Sequence, residues 1–236
     1  MRAILLAGGQ GTRLRPYTSL IPKPLVPIGN EHSILEVVIH QLAEAGFDHI
    51  TICLNHLAQL IIAFIGDGAR YGVRIDYCVE GEPLSTIGPL TLVSALPEDF
   101  LVMNGDILCD LNFGNFLLQH IENKNAVTVA TFQRDSRIDF GVIERTENGT
   151  ISGFIEKPVY HFEVSMGVYC INRAVIQALS KGKPYGFDTL MLDGIKNNLN
   201  YKAVLFDGFW LDIGRPEDYD YCNENYNEIK KKLHIR

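Results

Sequence analysis

Glycines and positive charges lie close together near the start of the chain. Three glycines follow a short apolar run over residues 3–6 that is typical of a buried strand: Gly8, Gly9 and Gly11. Because glycine has no Cβ atom, the backbone can turn sharply there and present consecutive N–H groups to an anion. Three basic side chains belong to the same stretch: Arg13, Arg15 and Lys23. This combination predicts a loop that binds a polyphosphate.

The spacing of these residues excludes two common phosphate-binding motifs. A Walker loop requires a lysine directly after its last glycine, whereas Thr12 follows Gly11. The dinucleotide fingerprint requires a third glycine at the position that Leu14 occupies. A tight turn with solvated arginines is the alternative interpretation that requires no ligand.

Two carboxylates are predicted to stand at the ends of strands. Asp106 follows the apolar run 100–104, and Asp212 follows the aromatic residue Trp210 at a second strand end. Ligands bind beyond the carboxyl ends of parallel strands, so we expect Asp106 to face a cleft. Carboxylate oxygens are ligands that Mg²⁺ prefers. A turn aspartate at 106 and a structural aspartate at 212 are the alternatives.

An adjacent acid and base, Glu156 and Lys157, stand before Pro158. Neighbours in a strand face opposite sides, so both can face a cleft only where the strand ends or bulges. Pro158 is consistent with such an end. A surface charge pair is the alternative.

Apolar strand runs alternate with amphipathic helical stretches in the first half of the chain. Strands are predicted at 3–6, 49–54, 74–79 and 100–104, and helices at 33–45, 57–65 and 88–96. Ser33 and Glu36 form a predicted capping box, and Gly46 is a plausible end for the first helix. This alternation indicates an α/β fold with a mostly parallel sheet and helices on both faces.

Hairpins are mixed with helices in the second half. The predicted strands are 126–132, 140–145, 151–156, 163–171 and 201–206, and the predicted helices are 112–122, 172–179, 187–197 and a polar one from 216. An Asn-Gly turn joins the strands 140–145 and 151–156. We predict one domain over residues 1–236, whose two halves meet at about residue 110.

Composition and charge exclude several function classes. The net charge of −7 and the absence of a basic face argue against nucleic-acid binding. Five cysteines without a Cys-x-x-Cys pair argue against a disulfide framework or zinc site and favour a reducing cytoplasm. The apolar run before Gly8 is too short for a signal peptide, and no run has the length of a membrane span.

The residues 6–18, followed by 23–28, resemble the signature of the sugar-1-phosphate nucleotidylyltransferases, also called nucleotide-sugar pyrophosphorylases. The resemblance extends from Ala3 to Tyr219 and is closest to core-only members similar to mannose-1-phosphate guanylyltransferase. It implies a Rossmann-like mixed, mostly parallel sheet flanked by helices, of the nucleotide-diphospho-sugar transferase type. It also implies that the domain has a nucleotide-binding half at about 1–110 and a sugar-binding half at 111–236. It also implies a nucleoside triphosphate and a sugar 1-phosphate as substrates and Mg²⁺ as cofactor, and it is compatible with a homo-oligomer.

The resemblance assigns roles to individual residues. It implies catalytic roles for Arg13, Lys23, Asp106 and Lys157. It implies nucleotide binding by Leu6, Ala7, Gly8, Gly9, Gly11, Thr12, Glu80 and Ser85. It implies sugar binding by Gly141, Glu156 and Lys157, and metal binding by Asp106 and Asp212.

The stretch that would meet the nucleobase, residues 80–90, departs from the family's usual pattern. Ser85 replaces a usual glycine and Ile87 a usual alanine. Ser85 is expected to narrow or reshape the base pocket, because it adds a Cβ. The motif at 23–27 favours GTP with mannose 1-phosphate or a similar sugar. The alternatives are a glucose-1-phosphate thymidylyltransferase, a non-catalytic nucleotide-sugar sensor, and a nicotinamide-dependent oxidoreductase, which the missing third glycine opposes.

Overall fold

A computed structural model describes residues 1–233 and 235. The strands of this part of the chain are β1 (Arg2–Leu6), β2 (Pro27–Ile28), β3 (His32–Ser33), β4 (His49–Leu54), β5 (Arg74–Val79), β6 (Asp99–Asn104), β7 (Ile107–Cys109), β8 (Val127–Arg137), β9 (Val142–Arg145), β10 (Ile151–Ile155), β11 (Val159–Asn172), β12 (Tyr201–Phe206) and β13 (Trp210–Asp212). Its α-helices are α1 (Ile34–Glu44), α2 (Ala58–Ile65), α3 (Phe113–Glu122), α4 (Arg173–Gln177), α5 (Phe187–Lys196), α6 (Pro216–Glu224) and α7 (Tyr226–Lys232).

A central sheet of seven strands has the order β12-β8-β11-β6-β1-β4-β5. Among these strands, β11 runs antiparallel to both of its neighbours, and the other pairs are parallel. The predicted mixed, mostly parallel sheet flanked by helices is therefore confirmed. The chain passes from β1 to β4 and β5 on one side and then returns to β6 on the other side of β1. Such a reversal of strand order opens a crevice at the carboxyl ends of the strands.

Local sequence explains how the first helix begins. The Ser33 Oγ accepts a hydrogen bond from the Glu36 N–H (3.3 Å), and the Glu36 carboxylate accepts one from the Ser33 N–H (2.8 Å). The predicted capping box is thus confirmed. The apolar face of α1, with Ile34, Val38 and Leu42, is fully buried against the sheet.

Four predicted elements differ clearly from the structure in their bounds. Residues 88–96 form only a short 3₁₀ helix, Gly88–Leu92, because the backbone of Val93 is extended (ψ 124°) and Ala95 has a positive φ of 49°. The strands β8 and β11 extend beyond their predicted ends, and they pair with each other as far as Arg137 and Val159. The C-terminal helix is divided into α6 and α7 at Asn225.

The Asn-Gly turn joins β9 and β10 as predicted, and the Thr146 N–H donates to the Thr150 carbonyl (3.0 Å). This hairpin pairs as a separate two-stranded sheet. No α-helix within residues 1–233 and 235 has the length and apolar character needed to cross a membrane.

Candidate active site

The glycine loop leaves the end of β1 between the ends of its two neighbours. The Ala7 N–H donates to the Cys53 carbonyl of β4 (2.9 Å), and the Gly105 N–H after β6 donates to the Leu6 carbonyl (2.9 Å). The loop therefore begins at the crevice, where it lines a cavity of about 540 Å³. Among the described residues, the N–H groups of Gly8 and Gly9 donate no hydrogen bond, so they are available to an anionic ligand.

The three glycines differ in what a Cβ atom would contact at each position. A Cβ on Gly8 would lie 3.0 Å from the Glu80 carboxylate, whereas a Cβ on Gly9 would meet no atom within 4 Å. Gly11 has φ +62°, and a Cβ there would lie 2.8 Å from the Lys23 Cβ. Gly8 and Gly9 line the cavity, but Gly11 does not, and it serves instead to start the 3₁₀ helix that carries Arg13.

Lys23 lies in the wall of this cavity with only 8% of its surface exposed. Its ammonium group forms an ion pair with the Asp106 carboxylate. A buried ammonium group requires such a partner, because desolvating an unpaired charge is costly. This ion pair places the positive charge of Lys23 beside Asp106, the carboxylate that follows β6.

Asp106 and Asp212 lie together because β7 and β13 pair. Asp212 is opposite Ile107 in this antiparallel pair, and the Ile213 N–H donates to the Asp106 carbonyl (3.1 Å). Burial raises the pKa of Asp212, and the negative charge of Asp106 raises it further, whereas Lys23 and Arg13 lower it. The four charged groups are therefore close enough to influence one another.

Glu80 forms part of the opposite wall of the cavity and is 8% exposed. One of its carboxylate oxygens accepts a hydrogen bond from the Leu84 N–H (2.8 Å). Burial raises the pKa of Glu80, and the bond from Leu84 opposes that shift. The other oxygen faces the Cα of Gly8, which leaves an acceptor directed at the glycine loop.

Ser85 and Ile87 have different roles in the structure. Ser85 lines the cavity with a left-handed backbone, φ +63°, which costs about 1–2 kcal/mol for a residue with a Cβ. This conformation explains why a glycine is suited to the position. Ile87 is fully buried in the core beneath the cavity and does not line it. Of the two departures, only Ser85 is placed to meet a nucleobase.

A second cavity, of about 410 Å³, lies on the other side of Arg13. Its lining includes Asp212, Asn104 and three aromatic rings, those of Tyr169, Phe187 and Trp210. Arg13 and Asn104 line both cavities, so the two spaces meet at these side chains.

Arg134 is a cation of this second cavity that the sequence analysis missed. Its guanidinium group lies 5.2 Å from the centre of the Trp210 ring, and the Trp210 indole N–H donates to the Met166 carbonyl (3.1 Å). Trp210 thus holds the guanidinium group by a cation–π contact. No specific signal in the sequence marked Arg134, because the residue lies two positions beyond the predicted end of the strand 126–132.

The three predicted sugar-binding residues are exposed, and they lie outside the lining of both cavities. Gly141 and Glu156 are neighbours, since a Cβ on Gly141 would lie 3.2 Å from the Glu156 carboxylate. Lys157, the second residue after the end of β10, has φ +44°, so the predicted strand end before Pro158 is present. The roles of Gly141, Glu156 and Lys157 in sugar binding stay predictions.

The amino-acid sequence of this chain was compared with models of known protein families. The model of a family described as "Nucleotidyl transferase" matches residues 2–229. The chain belongs to the nucleotidyl transferase family. Within the family it is 33% identical over 228 residues to a mannose-1-phosphate guanyltransferase of Aspergillus fumigatus, and the match covers 93% of this chain. The chain spans 62% of that relative's length.

Two solved structures have a fold similar to that of this chain. The structure of HddC from Yersinia pseudotuberculosis complexed with GMP-PN has a TM-score of 0.72 at 24% identity and covers 95% of this chain and 99% of that one. A putative glucose-1-phosphate thymidylyltransferase from Bacillus anthracis has a TM-score of 0.76 at 21% identity, with 99% of each chain covered. At these identities the two structures show the fold alone, which agrees with the sheet described above.

Proposed function

We propose that this chain transfers a nucleotidyl group from a nucleoside triphosphate to a sugar 1-phosphate and releases pyrophosphate. The observation that carries the proposal is that two cavities meet at Arg13 and Asn104, with Asp106 on the first and Asp212 on the second. Such a junction suits a reaction in which two phosphorylated substrates must approach each other. Membership of the nucleotidyl transferase family supports the same reaction class.

The chemistry requires positioning and charge neutralisation. A phosphate oxygen of the sugar 1-phosphate attacks the α-phosphorus, and the bond from that phosphorus to the bridging oxygen of the β-phosphate breaks. The bridging oxygen keeps the electron pair and leaves with pyrophosphate. Arg13 and the N–H groups of Gly8 and Gly9 would stabilise the charge that grows on this leaving group. No general base is needed, because the attacking phosphate is already ionised near neutral pH.

Asp106 and Asp212 are suited to hold Mg²⁺. They are two carboxylates at neighbouring strand ends, and Mg²⁺ is commonly bound by one or two carboxylates together with substrate phosphates and water. Burial and then the negative charge of Asp106 raise the pKa of Asp212, and a bound cation held by these two carboxylates would relieve that electrostatic cost. When bound, the ion would neutralise charge on the α-phosphate as a Lewis acid. Lys23, now paired with Asp106, offers a second positive charge to the triphosphate.

Guanine is the base that Glu80 is best suited to read. An ionised carboxylate only accepts hydrogen bonds, and guanine presents two adjacent donors, N1–H and the N2 amino group. Thymine and uracil present one N–H between two carbonyl oxygens. A carboxylate would repel these two oxygens, because all of them are hydrogen-bond acceptors with full or partial negative charge. Glu80 lines the first cavity, which we call the nucleotide cavity, and its oxygen that is not bonded to Leu84 lies beside Gly8. We therefore propose GTP as the nucleotide, with mannose 1-phosphate or a similar hexose 1-phosphate as acceptor.

The test is the release of pyrophosphate from GTP, dTTP, UTP and CTP, each combined with mannose 1-phosphate and with glucose 1-phosphate. We expect the highest kcat/KM with GTP. In Glu80→Gln, the kcat/KM for GTP should fall by about 10- to 100-fold, since hydrogen bonds to a charged acceptor contribute about 1.5–3 kcal/mol. Glu82→Gln, at an exposed site two residues further on, is the matched control. A preference for dTTP would identify a thymidylyltransferase, and nucleotide binding without turnover would identify a sensor.

The pH dependence of GTP binding provides a separate check on Glu80. Burial raises the pKa of Glu80, so this carboxyl becomes protonated at a higher pH than an ordinary glutamate. The protonated form has lost one acceptor and gained a donor that opposes guanine N1–H. The KM for GTP should therefore rise as the pH falls through the pKa of Glu80, and Glu80→Gln should abolish that rise. A wild-type profile that matches the Glu80→Gln profile would contradict base reading by Glu80.

A further inference from the structure

A third cavity, of about 340 Å³, shares no lining residue with the two cavities of the active site. We call it the rear cavity, and its wall includes Leu90, Leu96, Ile176, Arg173 and Lys181. The three apolar members are at most 8% exposed and belong to one cluster of buried side chains, which also contains Ile87 and Phe100. Its volume lies in the range of small-molecule pockets in proteins. The rear cavity therefore combines an apolar wall with a polar, charged rim.

The charged side chains that line the rear cavity are all positive. Arg173 and Lys181 line the rear cavity, and no aspartate or glutamate does, although the chain as a whole has a net charge of −7. Within residues 1–233 and 235, neither cation forms an ion pair with a carboxylate. The Arg173 guanidinium group donates one hydrogen bond there, to the Leu96 carbonyl (3.0 Å). A guanidinium group has five N–H donors, so most of them are available to a ligand.

The loop over residues 94–96 gives the rear cavity a defined edge. Arg2, on β1, donates hydrogen bonds to the carbonyls of Ser94 (3.1 Å) and Ala95 (2.8 Å), and Arg173 binds the next carbonyl. Ala95 is held with φ +49°, which is unfavourable for a residue with a Cβ. These bonds neutralise the carbonyl oxygens that would otherwise repel an anion. The edge is thus built before any ligand arrives.

We propose that the rear cavity is a second ligand site, which binds a small organic anion. The phosphate or carboxylate group of the ligand would bind Arg173 and Lys181, and its apolar body would pack on Leu90, Leu96 and Ile176. Phosphate and carboxylate groups both match the planar N–H donors of arginine. Two cations with no carboxylate beside them, Arg173 and Lys181, favour the binding of either anion. This binding does not depend on the proposed transferase activity.

Hydrogen bonds connect the rear cavity to the nucleobase wall of the first cavity. The Thr91 hydroxyl donates to the Gly88 carbonyl (2.7 Å) and accepts from the Gly182 N–H (3.0 Å). The N–H groups of Ile87 and Gly88 both donate to the Tyr185 carbonyl (2.9 and 3.0 Å). Gly182 directly follows Lys181, and Pro89, next to Gly88, lines the nucleotide cavity. An anion that orders Lys181 should therefore change the KM for the nucleotide more than it changes kcat.

Calorimetric titration with three probes tests the site: phenyl phosphate, benzoate and inorganic phosphate. We expect phenyl phosphate or benzoate to bind wild-type protein saturably and more tightly than inorganic phosphate, which lacks the apolar body. Tighter binding of phenyl phosphate identifies a phosphate ligand, and tighter binding of benzoate identifies a carboxylate. Lys181→Gln and Arg173→Gln should each weaken the tighter probe about tenfold or more, as expected for a lost hydrogen bond to a charged group.

Two controls separate this site from other anion-binding surfaces. Lys183→Gln removes an exposed cation two residues from Lys181 that lines none of these cavities, and Arg13→Gln removes a cation of the active site. Both should leave the affinity unchanged. Because Arg173→Gln also removes the bond to Leu96, Lys181→Gln is the decisive variant, and circular dichroism should show that it is folded. Equal affinity in wild type and Lys181→Gln, weaker binding in Arg13→Gln, or no saturable binding in the millimolar range would each overturn the proposal.

Discussion

The nucleotide cavity and the β9–β10 hairpin contain the two sets of predicted substrate-binding residues. The two regions differ in how deeply these side chains are buried and in how many contacts hold them. Lys23 and Glu80 in the cavity are each 8% exposed and are held by an ion pair and a hydrogen bond. In the hairpin, Glu156 and Lys157 are exposed, and so are large apolar side chains such as Phe154, at 62%. The first region is attached to the central sheet, whereas the second pairs as a separate two-stranded sheet.

This difference indicates that the two substrate sites are formed in different ways. The end of a buried parallel sheet positions side chains without a ligand, because the strands are fixed on both sides. A lone two-stranded hairpin has little stability of its own and can change position at low cost. We therefore expect the nucleotide cavity to be largely preformed and the hairpin to contribute to sugar binding only after it moves toward the second cavity.

The largest expected effect concerns the carboxylates at the junction of the cavities. Asp212→Asn should lower kcat by about a thousandfold, which corresponds to several kcal/mol of lost charge stabilisation. Asp106→Asn should have a similar effect on kcat and should also lower the free energy of unfolding, because it leaves the buried Lys23 ammonium group unpaired. The measurements are Mg²⁺-dependent turnover and urea denaturation.

Asp207→Asn is the control for these variants, since Asp207 is exposed and lines neither cavity. Near-normal turnover in Asp212→Asn would show that Asp212 takes no part in the reaction and has a structural role.

Arg13→Ala should have the next largest effect, because Arg13 lines both cavities. We expect kcat to fall about 100-fold with a smaller change in the KM for the triphosphate, since the charge on pyrophosphate is greatest in the transition state. Steady-state kinetics with each substrate varied in turn measures both constants. Arg15→Ala is the matched control, because Arg15 is exposed and lines neither cavity. A raised KM at unchanged kcat would show that Arg13 binds ground state and transition state equally.

A smaller effect is expected from the hairpin. Lys157→Ala should raise the KM for the sugar 1-phosphate about tenfold, as expected for the loss of one charge-assisted hydrogen bond, and should leave the KM for the nucleotide unchanged. Arg145→Ala, at an exposed position of the same hairpin, serves as control. If Lys157→Ala leaves the sugar KM unchanged while Arg134→Gln raises it, the sugar phosphate is bound by the second cavity without the hairpin.

The smallest expected effect concerns Ser85, within the preformed region. Ser85→Gly should increase the free energy of unfolding by up to about 1 kcal/mol, because relief of the left-handed strain outweighs the added entropy of the unfolded chain. Urea denaturation measures the change, and a decrease in stability would show that the Ser85 side chain makes a stabilising contact. An additional Ile87→Ala substitution should be avoided, since it would leave a cavity in the core.

Local pattern predicted much of this molecule. The glycine loop, the capping box of α1, the Asn-Gly hairpin and the strand that precedes Asp106 depend on residues within a few positions of one another, so the sequence contains their full physical cause. The alternation of strands and helices then restricted the topology to a mostly parallel sheet. The position of Asp106 at a cavity followed, because the carboxyl ends of parallel strands share one edge of the sheet.

Only the tertiary structure decided which distant residues meet. The pairing of β7 with β13 joins Asp106 to Asp212, and the fold of the first loop joins Lys23 to Asp106. Ile87 is buried, whereas Ser85, two residues before it, is at the surface with a positive φ. The residue types alone did not show which of these two positions lines the cavity. Arg134 reaches the second cavity because β8 extends beyond its predicted end. Each of these contacts depends on packing between segments far apart in the chain, and a pattern read over a short window contains no information about such packing.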